Sequence, residues 1–291
     1  MDLAYLRDHP QSVGRLIEHQ RIRSTPLQSS SSVCAVERLT LDDGTDLFAK
    51  TWPEAPSDFF TSEATELRWL QAAGAVPIPE VIAATSQLLL LEWIEPGEPA
   101  APAAEEFGRR LAALHRSGAP TFGAGWNGYI SSEPLPNEPA PSWPEFYVER
   151  RCRPYLRRAA DRGTFDAAGV AVVDKALDRV AEVAGPAEPP ARIHGDLWSG
   201  NVLYGQDGRA WLVDPAAHGG HRETDLAMLA LFGAPYLDRI LTSYHEAYPL
   251  AAGWHERVPL HQLHPLLVHT VLFGASYLDQ AMAAATAVNR L

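Results

Sequence analysis

Ile193-His194-Gly195-Asp196-Leu197-Trp198-Ser199-Gly200-Asn201-Val202-Leu203-Tyr204-Gly205-Gln206-Asp207-Gly208-Arg209-Ala210-Trp211-Leu212-Val213-Asp214 is the stretch whose reading decides the fold. Two short apolar runs, Val202 to Tyr204 and Ala210 to Val213, flank Asp207-Gly208, a dipeptide suited to a two-residue hairpin loop because both positions tolerate positive φ. With those two residues as the loop, Gln206 pairs with Arg209, Tyr204 with Trp211 and Val202 with Val213, which sets Asn201 opposite Asp214. Opposed residues on antiparallel strands have Cα atoms roughly 4.5 to 5.5 Å apart. One amide oxygen and one carboxylate at that spacing can share a hard cation, and magnesium suits the pair because it takes oxygen ligands and keeps positions for water and phosphate. Asp196, five residues before Asn201 in a Gly-flanked loop, falls near the same cation and is free to accept a proton.

His-x-Asp, an Asn five residues after that Asp, and a strand-terminal Asp resemble the catalytic and metal-binding segments of protein-kinase-like phosphotransferases. The fuller string, His-Gly-Asp-Leu-Trp-Ser-Gly-Asn with Asp-Pro-Ala at 214 to 216 and Gly-His-Arg-Glu-Thr-Asp-Leu-Ala-Met at 220 to 228, resembles the fructosamine kinase (ketosamine 3-kinase) family. The resemblance implies that Asp196 orients and deprotonates the attacking hydroxyl and that Asn201 and Asp214 hold Mg2+ on the phosphates of ATP. It implies structural support of the catalytic loop by His194 and Asp225.

Composition sets outer bounds. The chain has 291 residues, 46% of them apolar, enough for one large domain or two lobes. A net charge of -12 argues against a nucleic-acid partner, since phosphate binding needs basic clusters. The two cysteines, Cys34 and Cys152, make no disulfide framework, so a cytoplasmic location is expected. No apolar run reaches the roughly 18 residues of a membrane span, and no membrane partner is expected. Only two lysines occur, Lys50 and Lys175, in a chain that otherwise prefers arginine. A lysine kept at one position suggests a need for a compact point charge there.

Ahead of the central stretch, Leu3, Leu6, Val13, Leu16 and Ile17 predict leading helices over residues 1 to 23, broken at Pro10. Val33 to Leu41, a turn at Asp42-Asp43-Gly44, and Leu47 to Lys50 predict a hairpin. By the resemblance, Lys50 is the strand lysine that pairs with nucleotide phosphates, and the segment before it, Gln28 to Cys34, is the phosphate loop. That loop is Gly-rich in the family and here contains no glycine. Cys34 is either a redox-responsive loop cysteine or a small half-buried thiol. Ser57-Asp58 predicts the cap of a helix from Phe59 to about Ala73. Glu63 falls inside that helix's apolar stripe and Glu66 at its edge, so Glu63, or else Glu66, is the expected partner of Lys50. Leu88 to Leu91 is a buried strand, followed by a hinge at residues 92 to 97. There Glu92, Trp93 and Ile94 are expected to meet adenine, chiefly through backbone groups.

Beyond the hinge, a helix over Ala103 to His115 is predicted, then a loop-rich stretch from Phe122 to Gly163. Arg151, Arg153, Arg157 and Arg158 read as a solvated helix face. A helix is expected over Asp166 to Val183. His218 and Gly219 stand where the family usually shows aromatic residues, which suggests a somewhat different sugar. Trp198 is either a sugar-stacking ring or a core aromatic, and His221 and Glu223 touch either the acceptor or the scaffold. His255, His261, His264 and His269 lie in an apolar, helical tail without a complete zinc ligand set.

The expected architecture is α+β and two-lobed, protein-kinase-like: residues 1 to 91 a strand-rich nucleotide-binding lobe, 92 to 97 the hinge, and 98 to 291 a mainly helical catalytic lobe. The implied reaction is ATP-dependent phosphorylation of a ketosamine hydroxyl, on O3, in a deglycation role. Ribulosamines, fructosamines or glycated protein side chains are the expected acceptors, and a monomer or weak dimer the expected assembly. An aminoglycoside-type or other small-molecule phosphotransferase is the alternative on the same scaffold, and a nucleotide-binding pseudokinase the alternative outside enzymes.

Overall fold

The computed structural model describes residues 22–28 and 33–291. The leading helices expected before residue 22 and the serines at 29–32 of the expected phosphate loop lie outside the described residues. Ile22 and Arg23, expected to close those helices, instead open a strand.

Five strands, β1 (Ile22–Pro26), β2 (Ala35–Leu41), β3 (Asp46–Thr51), β4 (Val81–Ala84) and β5 (Leu88–Glu92), form an antiparallel sheet in the order β1-β2-β3-β5-β4. The unbroken leucines of β5 follow from its place between β3 and β4, buried on both faces. Leu88 and Leu90 join Leu39, Leu47 and Ala49 on one side, while Leu89 and Leu91 join the helix side. Side chains alternate along a strand. Phe48 and Lys50, out of phase with Leu47 and Ala49, therefore face helix α1 (Phe59–Gln71), whose Phe60, Ala64, Leu67 and Leu70 fill the space below the sheet.

Asp58 precedes α1 but caps nothing with its side chain. Its carboxylate accepts instead from the Tyr129 hydroxyl at 2.7 Å, which ties the helix start to a hairpin in the rest of the chain. That hairpin, β6 (Gly128–Ile130) with β7 (Glu133–Leu135), interrupts the region expected to be loop-rich. A helical run follows, α3 (Trp143–Phe146), a π-helical turn (Tyr147–Cys152) and α4 (Arg153–Asp161). The wide turn changes the facing of its residues, so Arg151 is 2% exposed and not part of a solvated face. Its guanidinium donates to Pro136 O at 2.6 Å and to Asn137 Oδ1, and stacks 4.4 Å from the Phe146 ring.

The remaining elements are α2 (Ala101–Arg116), α5 (Ala167–Asp178), α6 (Val180–Val183), β8 (Ala191–Ile193), β9 (Val202–Tyr204), β10 (Ala210–Leu212), β11 (His218–Gly220), α7 (Arg222–Phe232), α8 (Leu237–Ala247), α9 (Trp254–Phe273) and α10 (Leu278–Val288). The expected helix from Asp166 to Val183 is thus two pieces, with the Asp166 carboxylate accepting the Gly169 N–H at 2.7 Å as its cap. A sheet-rich first part and a mostly helical remainder make the fold α+β.

Candidate active site

The central hairpin forms one residue out of the expected register. Tyr204 pairs with Ala210, Leu203 with Trp211 and Val202 with Leu212. The loop holds three residues, Gln206, Asp207 and Gly208, closed by Gly208 N–H to Gly205 O at 3.0 Å and Gly205 N–H to Arg209 O at 2.9 Å, with Gly208 at φ 76°. A third loop residue with a left-handed glycine is the common alternative to the two-residue turn. Asn201 consequently opposes Val213, whose N–H reaches Asn201 O at 3.1 Å, and not Asp214.

A one-residue slip ordinarily sends a side chain to the other face. Asp214 is rescued by its backbone. It adopts φ 50°, a left-handed conformation uncommon outside glycine, and its carboxylate lies 3.1 Å from Lys50 Nζ. Asn201 Nδ2 donates to Asp196 O at 2.8 Å, Asp214 O at 3.2 Å and Asp196 Oδ2 at 3.3 Å. Because the two backbone carbonyls can only accept, they fix which end of the amide is nitrogen. Asn201 Oδ1 is left to face other groups. One amide oxygen and a half-exposed carboxylate form a hard donor set that fits magnesium.

Lys50 sits between two carboxylates. Its ammonium is 2.9 and 3.1 Å from the Glu63 oxygens and 3.1 Å from Asp214. Burial works against the charge, but the pull of Asp214 and Glu63 outweighs it, so Lys50 stays protonated well past its ordinary range. Burial pushes the Glu63 carboxyl up against the attraction of Lys50, while Asp214, despite its partial desolvation in the cleft, is held low by the Lys50 ammonium. Burial, reinforced by the charge of Asp214, raises Asp196 to about 7.

A buried frame holds the loop. Asp225, fully buried at the start of α7, accepts from His194 N–H at 2.8 Å, Gly195 N–H at 2.9 Å and His115 Nε2 at 3.1 Å. His194 Nε2 in turn donates to Val213 O at 2.9 Å. Gly195, at φ 83°, passes so close to Ala216 O that a Cβ would sit 2.1 Å away. The strand bearing Asp214 and the loop bearing Asp196 are thereby fastened to each other.

These groups open onto a cavity of about 360 Å³ lined by Lys50, Glu63, Asp196, Trp198, Asn201 and Asp214, among others. Across it stand Phe232, His269, Phe273 and Tyr277.

A model of the fructosamine kinase family matches residues 11–290 of this chain. The chain belongs to the fructosamine kinase family. An Enterococcus faecium "probable ketoamine kinase" is 34% identical over 236 residues, covering 80% of this chain and 84% of the relative. A Synechocystis homologue of the same description is 33% identical over 270 residues, 90% of each chain. The crystal structure of a "putative fructosamine-3-kinase" from Thermobifida fusca is 49% identical, with a TM-score of 0.90 over 96% of this chain and 98% of that one. The Streptococcus pneumoniae choline kinase LicA, at 13% identity and a TM-score of 0.64, shares the fold alone over 99% of this chain and 100% of its own. Membership makes the chain an ATP-dependent phosphotransferase of kinase-like fold with ketosamine kinase activity.

Several of the residues expected at the site of this fructosamine kinase family member lie outside the lining of the cavity. Glu92 ends β5, with its N–H spent on Glu80 O at 2.9 Å and its carboxylate accepting Glu80 N–H at 3.2 Å. The Trp93 ring lies 4.6 Å below the Arg38 guanidinium and its Nε1 donates to Glu95 at 2.9 Å. Neither residue, nor buried Ile94, lines the cavity among the described residues. His221 and Glu223 are scaffold. His221 Nδ1 caps α7 by accepting Glu223 N–H at 3.2 Å, and both Glu223 oxygens take the Arg257 fork at 2.9 and 2.5 Å. His221, Glu223 and His261 offer ligand atoms within 4.8 Å of one another, yet the Arg257 guanidinium already stands as the cation there. His218 and Gly219 lie in β11 away from the cavity. A Cβ at Gly219 would sit 1.9 Å from Thr121 O, so the backbone crossing there has no room for a side chain.

Sequence reasoning missed His115, which steadies Asp225, and the aromatic wall. The wall carried a signal: Leu231-Phe232-Gly233-Ala234-Pro235-Tyr236-Leu237-Asp238 and Leu272-Phe273-Gly274-Ala275-Ser276-Tyr277-Leu278-Asp279 are identical at seven of eight positions.

Proposed function

We propose that this kinase transfers the γ-phosphoryl group of ATP to the 3-hydroxyl of a ketosamine, a ribulosamine or fructosamine, in a deglycation role. The observation that carries this reading is the convergence of Asp196, Asn201, Asp214 and Lys50 on one cavity. Asp196 accepts the proton of the attacking hydroxyl, whose oxygen forms the new bond to the γ-phosphorus as the bond to the departing ADP breaks. Its carboxyl, raised to about 7, suits a base that must take a proton near neutrality. Lys50, held by Glu63, positions the phosphates. Asn201 and Asp214 hold magnesium, which when bound neutralises charge on the phosphates. The chain's own contribution is mostly positioning and charge, which is what phosphoryl transfer demands. Glu92 and Ile94, at and just past the end of β5, offer adenine backbone groups, the Glu92 N–H excepted because Glu80 O holds it.

The test is magnesium-dependent ATP consumption against ribulosamines, fructosamines and aminoglycosides, with product analysis for the phosphorylated carbon. A 3-phosphorylated ketosamine is expected. Phosphorylated aminoglycoside without ketosamine turnover would replace the acceptor, and tight ATP binding with no transfer to any sugar would replace the enzyme by a pseudokinase.

A further inference from the structure

The repeated Leu-Phe-Gly-Ala segments end two helices at the same cavity. Phe232 is the last residue of α7 and Phe273 the last of α9. Each is followed by a glycine at positive φ, Gly233 at 75° and Gly274 at 63°, a conformation that stops the helix and that glycine adopts without penalty. The two phenylalanines remain 37% and 56% exposed. Exposed apolar rings gathered in one place mark a binding surface more often than a packing accident. Here they are gathered. Phe232 lies 5.1 Å from His269 and 6.3 Å from Trp198, and Tyr277 lies 4.7 Å from His269 and 5.7 Å from Phe273, measured between ring centroids. Trp198 is two residues past Asp196, so the cluster begins beside the proposed base.

The charges in the cavity narrow the occupant. Among the described lining residues the one Lys or Arg is Lys50, already bound to Glu63 and Asp214, and four carboxyl groups line the same space, those of Glu63, Glu66, Asp196 and Asp214. A carboxylate carried into it by the acceptor would lose water and gain no free counter-charge from the side chains around it. The secondary amine of a ketoamine is cationic when protonated, and aromatic faces attract cations. His269 adds no charge that would oppose it. Its Nδ1 donates to Pro265 O at 2.7 Å, and burial lowers its pKa below the usual histidine range.

We propose that Trp198, Phe232, His269, Phe273 and Tyr277 form the subsite for the amine half of the acceptor and select ketoamines whose nitrogen carries an apolar, carboxylate-free substituent. This rests on the ketosamine reading above. The test uses three adducts of one sugar, made from benzylamine, methylamine and glycine, with kcat/KM measured for the unaltered chain and for Phe273→Ala and Tyr277→Leu. The benzylamine adduct is expected to exceed the glycine adduct about tenfold or more. In either variant the benzylamine-to-methylamine ratio is expected to fall about 3- to 10-fold, the worth of an aromatic pair. Phe273 is exposed enough that its truncation leaves the fold intact, and Tyr277→Leu supplies the independent second case. Turnover of the methylamine adduct with an unchanged ratio in both variants, or preference for the glycine adduct, overturns the subsite and leaves the ketosamine reading standing. Absence of turnover with all three adducts overturns the ketosamine reading itself.

Discussion

Two clusters in this molecule are built from the same chemistry and put to different uses. Lys50, Glu63, Asp214, Asn201 and Asp196 face a cavity; His221, Glu223, Arg257 and His261 are closed on themselves beneath it. In the first, one ammonium is shared between two carboxylates, and Asn201 keeps an oxygen uncommitted by the bonds that orient its amide. In the second, a planar fork meets both oxygens of one carboxylate, and His261 Nδ1 is bonded to Thr224 at 3.0 Å. Residue type alone does not separate a reacting cleft from a strut. What separates them is whether the bonding capacity of the charged groups is used up inside the protein.

The sharpest way to break that contrast is to remove one group from each cluster. Asp196→Asn should cut kcat about 10²- to 10⁴-fold, the usual worth of a positioned base, with the unfolding midpoint nearly unmoved. Arg257→Ala should do the reverse. It strands a buried carboxylate, which costs about 3–5 kcal/mol, while the fraction that remains folded keeps its KM for ATP. Coupled-assay kinetics and denaturant titration on the two variants read both arms. Loss of activity without loss of stability in Arg257→Ala would put the second cluster into the active site.

The same contrast explains what was legible in the chain. Asp196 and Asn201 could be found from the hairpin and its resemblance to kinase segments, Lys50 from the resemblance of its strand, and Glu63 because a carboxylate on an apolar stripe demands a partner. The hairpin register could not, because Asp-Gly serves two-residue and three-residue loops alike, and the difference lies in one backbone bond. Asp214 was nevertheless placed at the site, though the sequence does not show the left-handed turn that takes it there. Arg151 misled because a π-helical turn shifts the facing of every residue after it, and nothing in Tyr147 to Cys152 announces one. Asp58 was a good cap by type, but a tyrosine 71 residues away had claimed its carboxylate.

A gentler probe of the closed region is acid. Burial, as the leading cause, holds His218, His221 and His264 well below the usual imidazole range and lowers His261 as well. In the unfolded chain these rings take up protons near pH 6.5, whereas in the folded chain they do so only at lower pH. Below that pH the unfolded state binds more protons, so stability falls as pH falls, by about 1.4 kcal/mol per pH unit for each ring that stays neutral. Glu223 acts in a lower window. Burial alone would raise it, but the His261 ring 3.3 Å away and the two hydrogen bonds from Arg257 hold it at about 2, so its stabilisation is intact above the unfolded value and fades only as pH drops from about 4.5 toward 2. Denaturant midpoints between pH 7 and 5 should therefore decline on account of the histidines, and His264→Gln should flatten the slope by about one proton. The Asp196 and Glu63 carboxyls, raised by burial, take up protons in the folded chain over the same range and offset part of that decline. The difference between the two chains thus reports on the ring: equal slopes would mean that buried His264 takes up its proton without opening the fold.

The smallest effect is expected where the two regions meet. Glu66 lines the cavity, yet it is tied like a strut: one oxygen accepts Ala217 N–H at 3.1 Å, three residues past Asp214, and the other is buried without a partner. The second oxygen fits because residue 128 is glycine; a Cβ there would lie 2.3 Å from it. Burial pushes this carboxyl well above its ordinary range, toward the neutral acid, and an amide has nearly the same shape and keeps an oxygen that can accept. Glu66→Gln should keep the bond to Ala217, with kcat/KM within about twofold and an unchanged midpoint, whereas Glu66→Ala strands the Ala217 N–H at a cost of about 1–3 kcal/mol. If instead Glu66→Gln lost tenfold or more in turnover at full stability, the charge of Glu66 would be needed in the cleft, and the line between the two regions would have to be drawn behind it.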